Sequence, residues 1–225
     1  MSPDDRVVIS VNKLTVEAGP IRLFENLSFD LEQGQVLILH GSNGVGKTSL
    51  LKVLAGFNSP EHGKIKFGTR AELSAYNIHE NCHYLGHKNG LKAKHTVFEN
   101  LDFFQTFDRI PKFSIQDAAD LLHFNSLLTL PVSVLSAGQA RRVAFARLLV
   151  SDRPIWLLDE PTAALDASTS RQFEYLALQH MKQGGMIIAA THLPFLSDHS
   201  DCQTLNLDAY QTNCFTSATT ADSTL

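Results

Sequence analysis

Cysteine is scarce in this chain. There are three among 225 residues, Cys82, Cys202 and Cys214, and they are scattered. They form neither a CxxC pair nor a metal-ligand spacing, so reduced thiols in a cytosolic setting are expected. Long apolar runs are absent as well. None approaches the roughly 18 residues needed to cross a bilayer. Positive charge is not in excess: 19 Lys and Arg stand against 23 Asp and Glu, a formal net charge of −4. That balance argues against nonspecific nucleic-acid binding as the main activity. The opening MSPDDRVVIS places acids where a signal peptide needs basic residues, and no long apolar region follows. The expectation is a protein that neither spans a membrane nor is exported on its own. What remains is ordinary globular composition, 44% hydrophobic and 19% charged, at a length that fits one domain with a small inserted lobe.

The pattern along the chain is α/β. Val7–Leu14 and Leu23–Leu31 alternate as strands do, and Gly63–Gly68 is a third short candidate. Val36–His40, Ile155–Leu158 and Met186–Ala190 are short continuous apolar runs, as expected of parallel strands buried on both faces. Helices are expected over Thr48–Ala55, from Gly138 to about Val150, and from Ala167 to Lys182. Asn100–Phe107 and Ile115–Phe124 read as helices broken at Pro111, giving a mostly helical lobe over about 88–150. From Asp208 to the end, Ser, Thr and Ala dominate, and a mobile tail over 208–225 is expected.

The sharpest motif is Gly41-Ser42-Asn43-Gly44-Val45-Gly46-Lys47-Thr48, which fits G-x-x-x-x-G-K-[ST] between an apolar strand and a helix. The glycines allow backbone N–H groups to close around an anion, and the helix start adds its positive dipole end. Lys47 is placed to meet the β- and γ-phosphates of ATP, Thr48 to offer a hydroxyl to Mg2+, and Ser49 to reach the α-phosphate. A second site follows from Ile155-Trp156-Leu157-Leu158-Asp159-Glu160, an apolar strand ending in two acids. Adjacent carboxylates at a buried strand end are costly unless a cation compensates them. Asp159 is the candidate for the Mg2+ shell, and Glu160 for polarising the attacking water. Between these sites lies Leu135-Ser136-Ala137-Gly138-Gln139, where Ser136 is a good helix N-cap.

GSNGVGKT, LSAGQ, IWLLDE, Ala164-Leu165-Asp166 and Thr191-His192 occur in this order. Together they resemble the ATP-binding cassette (ABC) ATPases over nearly the whole chain. The resemblance implies an ATPase domain over 1–207: a mostly parallel sheet, an antiparallel N-terminal β subdomain and an inserted helical lobe. It implies a head-to-tail dimer of two copies with ATP sandwiched between them. Ser136, Gly138 and Gln139 would act in trans on ATP held by the partner's phosphate loop, Asp166 would lie at the interface, and His192 would hold the γ-phosphate. Two departures stand out. The position where the family carries a glutamine near Mg2+ falls on His87, within Tyr84–Leu91. The aromatic that usually stacks on adenine would fall near Val16–Gly19, which holds no ring, leaving Phe24, the partner or weak stacking alone to hold adenine.

The phosphate loop ends at Thr48 and LSAGQ begins at Leu135, too short a span for the long coiled coil of DNA-repair cassettes. One cassette rather than two in tandem, without a fused membrane domain, is expected. The YLGHxxGLK segment from Tyr84, the LSAGQ variant and GGMIIAATHLPF around His192 are similar to the ATP-binding subunits of cytochrome c maturation haem exporters. That resemblance implies a peripheral protein on the cytoplasmic face of the bacterial inner membrane, bound to integral membrane transporter subunits. Neither direct haem contact nor direct nucleic-acid contact is expected. His79, His83 and His87 recur at four-residue spacing, but the pattern around them includes a strand. Phe98, Leu101, Phe103, Phe104 and Phe107 form a dense apolar cluster that is either lobe core or the face for the membrane subunits. The alternatives are an ABC exporter of another small substrate, such as a lipid, drug or ion, and a soluble ABC ATPase acting on nucleic acid or ribosomes.

Overall fold

In the computed structural model, which describes residues 5–74, 78–106, 113–163 and 165–211, the three continuous apolar runs sit side by side at the centre of one sheet. In chain order the strands are β1 (Val7–Ala18), β2 (Ile21–Glu32), β3 (Val36–His40), β4 (His62–Thr69), β5 (Leu73–Ser74), β6 (Cys82–Leu85), β7 (Ile155–Asp159), β8 (Met186–Ala190) and β9 (Cys202–Asn206). The helices are α1 (Lys47–Leu54), α2 (Val97–Gln105), α3 (Ile115–Leu121), α4 (Ala137–Val150) and α5 (Ala167–Lys182). The order β6-β7-β8-β3-β9 is parallel at every pairing, and a second sheet, β2-β1-β4-β5, is antiparallel.

Alternation along the central strands feeds two cores. Val36 and Ile38, Trp156 and Leu158, and Ile187 and Ala189 point into one. Leu37 and Leu39, Ile155 and Leu157, and Met186 and Ile188 point into the other. This is why these strands read as unbroken apolar runs. The first face is covered by α4, α5 and the lobe helices, with Phe145 stacked on Phe173 at 3.8 Å between centroids. The second is covered by α1 and the antiparallel sheet, through Leu50, Leu54, Ile9, Val11 and Leu14.

The expected elements are present, with shifts that have local causes. α2 starts at Val97 rather than Asn100 because Thr96 and Glu99 form a capping box. α3 ends at Leu121, and His123 turns the chain with φ 55. β1 runs on past Leu14 to Ala18, paired with Ile21. Phe107, Pro111, Ala164, Cys214 and the tail beyond Gln211 lie outside the described residues. Leu207–Tyr210 form a 3-10 turn in which Leu207 is fully buried and Tyr210 packs partly buried against the second core.

Candidate nucleotide-binding and catalytic site

Because the five strands are parallel, their carboxyl ends share one edge. Leu85 pairs with Leu158, Asp159 with Ala190, Leu39 with Ala190 and His40 with Asn206. The residues just beyond those ends are therefore neighbours, and such an edge is where open α/β sheets bind ligands. A cleft of about 400 Å3 lies there. Its walls include Asn43, Gly44, Gly46, Lys47, Thr48 and Ser49 from the phosphate loop, with His87, Asp159, Glu160 and His192 from the other strand ends.

α1 differs from the other four helices. α2, α3, α4 and α5 each carry a side-chain cap, from Thr96, Ser114, Ser136 and Asp166. α1 starts after Gly46, whose φ of 114 and lack of a side chain leave the first-turn N–H groups without a cap. A Cβ on Gly46 would meet the Phe24 ring at 3.0 Å. The open amides and helix dipole favour an anion there. Lys47 is buried, and its ammonium donates to the Gly41 and Ser42 carbonyls at 2.7 and 3.1 Å.

The Thr48 hydroxyl donates to Asp159 Oδ2 at 2.9 Å, and Asp159 is itself buried. These are oxygen donors of the kind Mg2+ prefers, and that ion usually takes few protein ligands beside substrate phosphates. Glu160 turns sharply off β7. Its φ is 48, an uncommon conformation for a side-chain-bearing residue, and its N–H donates to the Ala190 carbonyl at 2.8 Å. Glu160 Oε2 accepts the His192 backbone N–H at 3.4 Å, and His192 Nε2 lies 3.7 Å from Oε1.

His87 does face the cleft and is exposed. Phe24 is fully buried and does not offer its ring to adenine, while Ala18 and Leu23 line the cleft instead. Ser136, Gly138, Gln139 and Asp166 do not line this cleft. Ser136 Oγ accepts the Gln139 N–H at 3.2 Å while Gln139 Oε1 accepts the Ser136 N–H at 2.9 Å, and the exposed Ser136 hydroxyl keeps its own proton to donate. Asp166 caps α5. The Thr169 N–H, then the Ser168 and Thr169 hydroxyls, hold its carboxyl well below the usual carboxylate range. His83 is buried, with Nε2 2.6 Å from the Ser151 carbonyl oxygen.

Arg141 is the residue that motif reading missed. Its guanidinium donates to the carbonyls of Gly86, Asp159, Glu160 and Pro161 at 2.8–3.3 Å, and to Asn89 Oδ1 at 3.1 Å. It ties α4, which begins at the signature, to the turn of Glu160 and to the loop carrying His87. Burial pushes its pKa down to about 10, opposed by Asp159 and Glu160. A signal existed: Arg141 precedes the buried Ala144, Phe145 and Leu148 at helical spacing, so periodicity puts it on the core face. Arg141→Lys keeps the charge and loses the fork. We expect a melting temperature lower by several degrees and slowed ATP hydrolysis, since unmet buried carbonyls cost about 1–3 kcal/mol each. Thermal melts and an ATPase assay check this, and no change in either contradicts it.

A phosphate loop, a buried strand-end carboxylate and an uncapped helix start at one edge of a parallel sheet are the architecture of a P-loop ATPase core. The chain belongs to the ABC transporter family, whose match covers residues 24–163. It is 45% identical over 185 residues to the cytochrome c biogenesis ATP-binding export protein CcmA of Rhizobium johnstonii, covering 80% of this chain and 86% of that protein. It is 41% identical over 186 residues to the protein of the same name in Brucella abortus, covering 83% and 86%. A solved putative ABC transporter ATP-binding protein from Pyrococcus furiosus superposes with TM-score 0.76 at 25% identity, covering 91% of this chain and all of that one. An ATP-binding cassette solved as a dimer in a post-hydrolysis state with ADP and phosphate shares the fold, with TM-score 0.69 at 21% identity over 82% of this chain and 88% of that one.

Proposed function

We propose that this chain is the ATP-hydrolysing subunit of a transporter that serves cytochrome c biogenesis, coupling hydrolysis to haem transfer or to release of haem from its chaperone. The observation that carries this reading is the 41–45% identity to export proteins of that name over at least four-fifths of both chains. The cleft supports the chemistry. Lys47 meets the β- and γ-phosphates, and the loop and α1 amides cradle them. Thr48 and Asp159 are the residues that would hold Mg2+, which when bound neutralises charge on the β- and γ-phosphates. Glu160 accepts the proton of the attacking water, and His192, beside it, holds the γ-phosphate.

Ser136, Gly138 and Gln139, turned away from the cleft of their own subunit, close the partner's cleft in a head-to-tail pair. Asp166 lies at that interface. The exposed Ser136 hydroxyl proton and the α4 start suit a phosphate oxygen. No helix among the described residues is long and apolar enough to cross a membrane. The likeness to the export proteins is what supports a peripheral place for the subunit, on the cytoplasmic face of the inner membrane against integral membrane subunits.

The aromatic cluster of the lobe divides between core and surface. Leu101 is fully buried, and Phe104 lies under the Arg147 guanidinium at 3.9 Å. Phe98 and Phe103 are 49% and 42% exposed. The exposed pair is our docking face for the membrane subunits. Phe98→Asp and Phe103→Asp should melt within a few degrees of wild type, yet fail to co-isolate with membrane proteins from detergent-solubilised cells. Retention of the partners by both variants contradicts the assignment.

A further inference from the structure

β9 is the edge strand beside β3, and His40 pairs with Asn206. The first residues of the phosphate loop and the turn after β9 therefore emerge together. Leu207 anchors that turn in the core, and Asn206 Oδ1 accepts the Asp208 N–H at 3.0 Å. The Asp208 carboxylate then faces the loop. Its two oxygens accept the Ser42 N–H at 3.0 and 3.1 Å, and Oδ1 accepts the Ser42 hydroxyl at 2.8 Å. Asp208 also lies beside Gly41, whose φ is 138: a Cβ there would meet Val45 Cγ1 at 2.9 Å and Asp208 Oδ1 at 3.4 Å. On the other side, Lys47 grips the carbonyls of Gly41 and Ser42. The first peptide groups of the loop are thus held by an acid through the N–H and by the phosphate-binding lysine through the carbonyls. Asp208 lies outside the matched family region, residues 24–163.

We propose that Asp208 is a positioning residue of the phosphate loop, fixing its first turn in the shape that receives the phosphates before ATP arrives. Its effect falls on nucleotide affinity and not on the step that breaks the phosphate bond, because its contacts are to the N–H and hydroxyl of Ser42 in the loop and not to Glu160. A preformed cradle removes an ordering cost that would otherwise weaken binding. The same carboxylate also brings negative charge near the triphosphate site, and we hold that support outweighs repulsion. The inference rests on this loop being the ATP site.

The test uses full-length wild type, Asp208→Ala, Asp208→Asn and Lys47→Ala, with equilibrium binding of a fluorescent ATP analogue and steady-state hydrolysis. Asp208→Ala should raise both the Kd and the KM roughly three- to tenfold, the loss of one or two net hydrogen bonds, with kcat within about twofold. Asp208→Asn keeps an acceptor for the Ser42 N–H and should fall between Asp208→Ala and wild type. Unchanged or tighter binding in Asp208→Ala overturns the proposal, as does a fall in kcat at constant KM. If Lys47→Ala binds the analogue as wild type does, the loop is not the nucleotide site and the proposal falls with it. If Lys47→Ala loses binding while Asp208→Ala does not, only the role of Asp208 fails.

Discussion

Lys47→Ala should leave the protein folded and remove its ATP hydrolysis. The Lys47 ammonium is buried, its hydrogen bonds go to two loop carbonyls, and among the described residues no carboxylate lies within ion-pair distance of it. A buried cation hydrogen-bonded only to carbonyls adds little to stability, so the melting temperature should move by no more than a few degrees. Its use is to meet charge that arrives with the nucleotide and grows in the transition state. Removing one such preorganised group costs roughly 100- to 1,000-fold in turnover. Calorimetric ATP binding should weaken at least tenfold, the equivalent of about 1.4 kcal/mol. Wild-type hydrolysis by the folded variant would remove the phosphate-loop assignment.

Glu160→Gln should bind ATP and fail to consume it. The amide occupies the same place at the turn after β7 but does not take the proton of the attacking water, a loss of roughly 100- to 10,000-fold. Thr48, Asp159 and Lys47 are untouched, so the nucleotide stays. If the signature residues of a second copy close over it, ATP stabilises the pair by mass action. Losing a carboxylate beside the triphosphate also weakens repulsion. Size-exclusion chromatography should then show a dimer with ATP and a monomer without it. Retained hydrolysis would transfer the catalytic role to His192, whose Nε2 lies 3.7 Å from the Glu160 carboxylate.

The parts of the fold that could be read in the sequence are those where pattern and burial coincide. VLILH, IWLLD and MIIAA are apolar throughout because both faces are covered. α5 begins and ends where its cap and its break to Gly184 indicate. β9, CQTLN, is a half-exposed edge strand without apolar alternation and gave no signal. The site divides in the same way. Gly41 to Thr48, Asp159 and Glu160 carry their chemistry in local spacing. Arg141 and Asp208 act through carbonyl and N–H groups 18 to 166 residues away; periodicity places Arg141 on the core face, but no local pattern names the partners of either. Sequence alone does not decide Phe24 as an adenine contact, because a strand residue's face depends on which sheet covers it, and here the ring is wholly inside.

The central claim, that this ATPase drives a transporter for cytochrome c biogenesis, is tested most directly by haem staining of denatured periplasmic and membrane proteins from cells whose only copy of this subunit is wild type or Glu160→Gln. Covalently attached haem survives denaturation, so the stain reports c-type cytochromes alone. The account predicts stained c-type cytochromes with the wild-type subunit and their loss with Glu160→Gln, while non-covalently bound haem in the same membranes persists. Undiminished c-type staining in Glu160→Gln cells, with the variant present and inactive as an ATPase, would contradict it and point to an exporter of another small substrate.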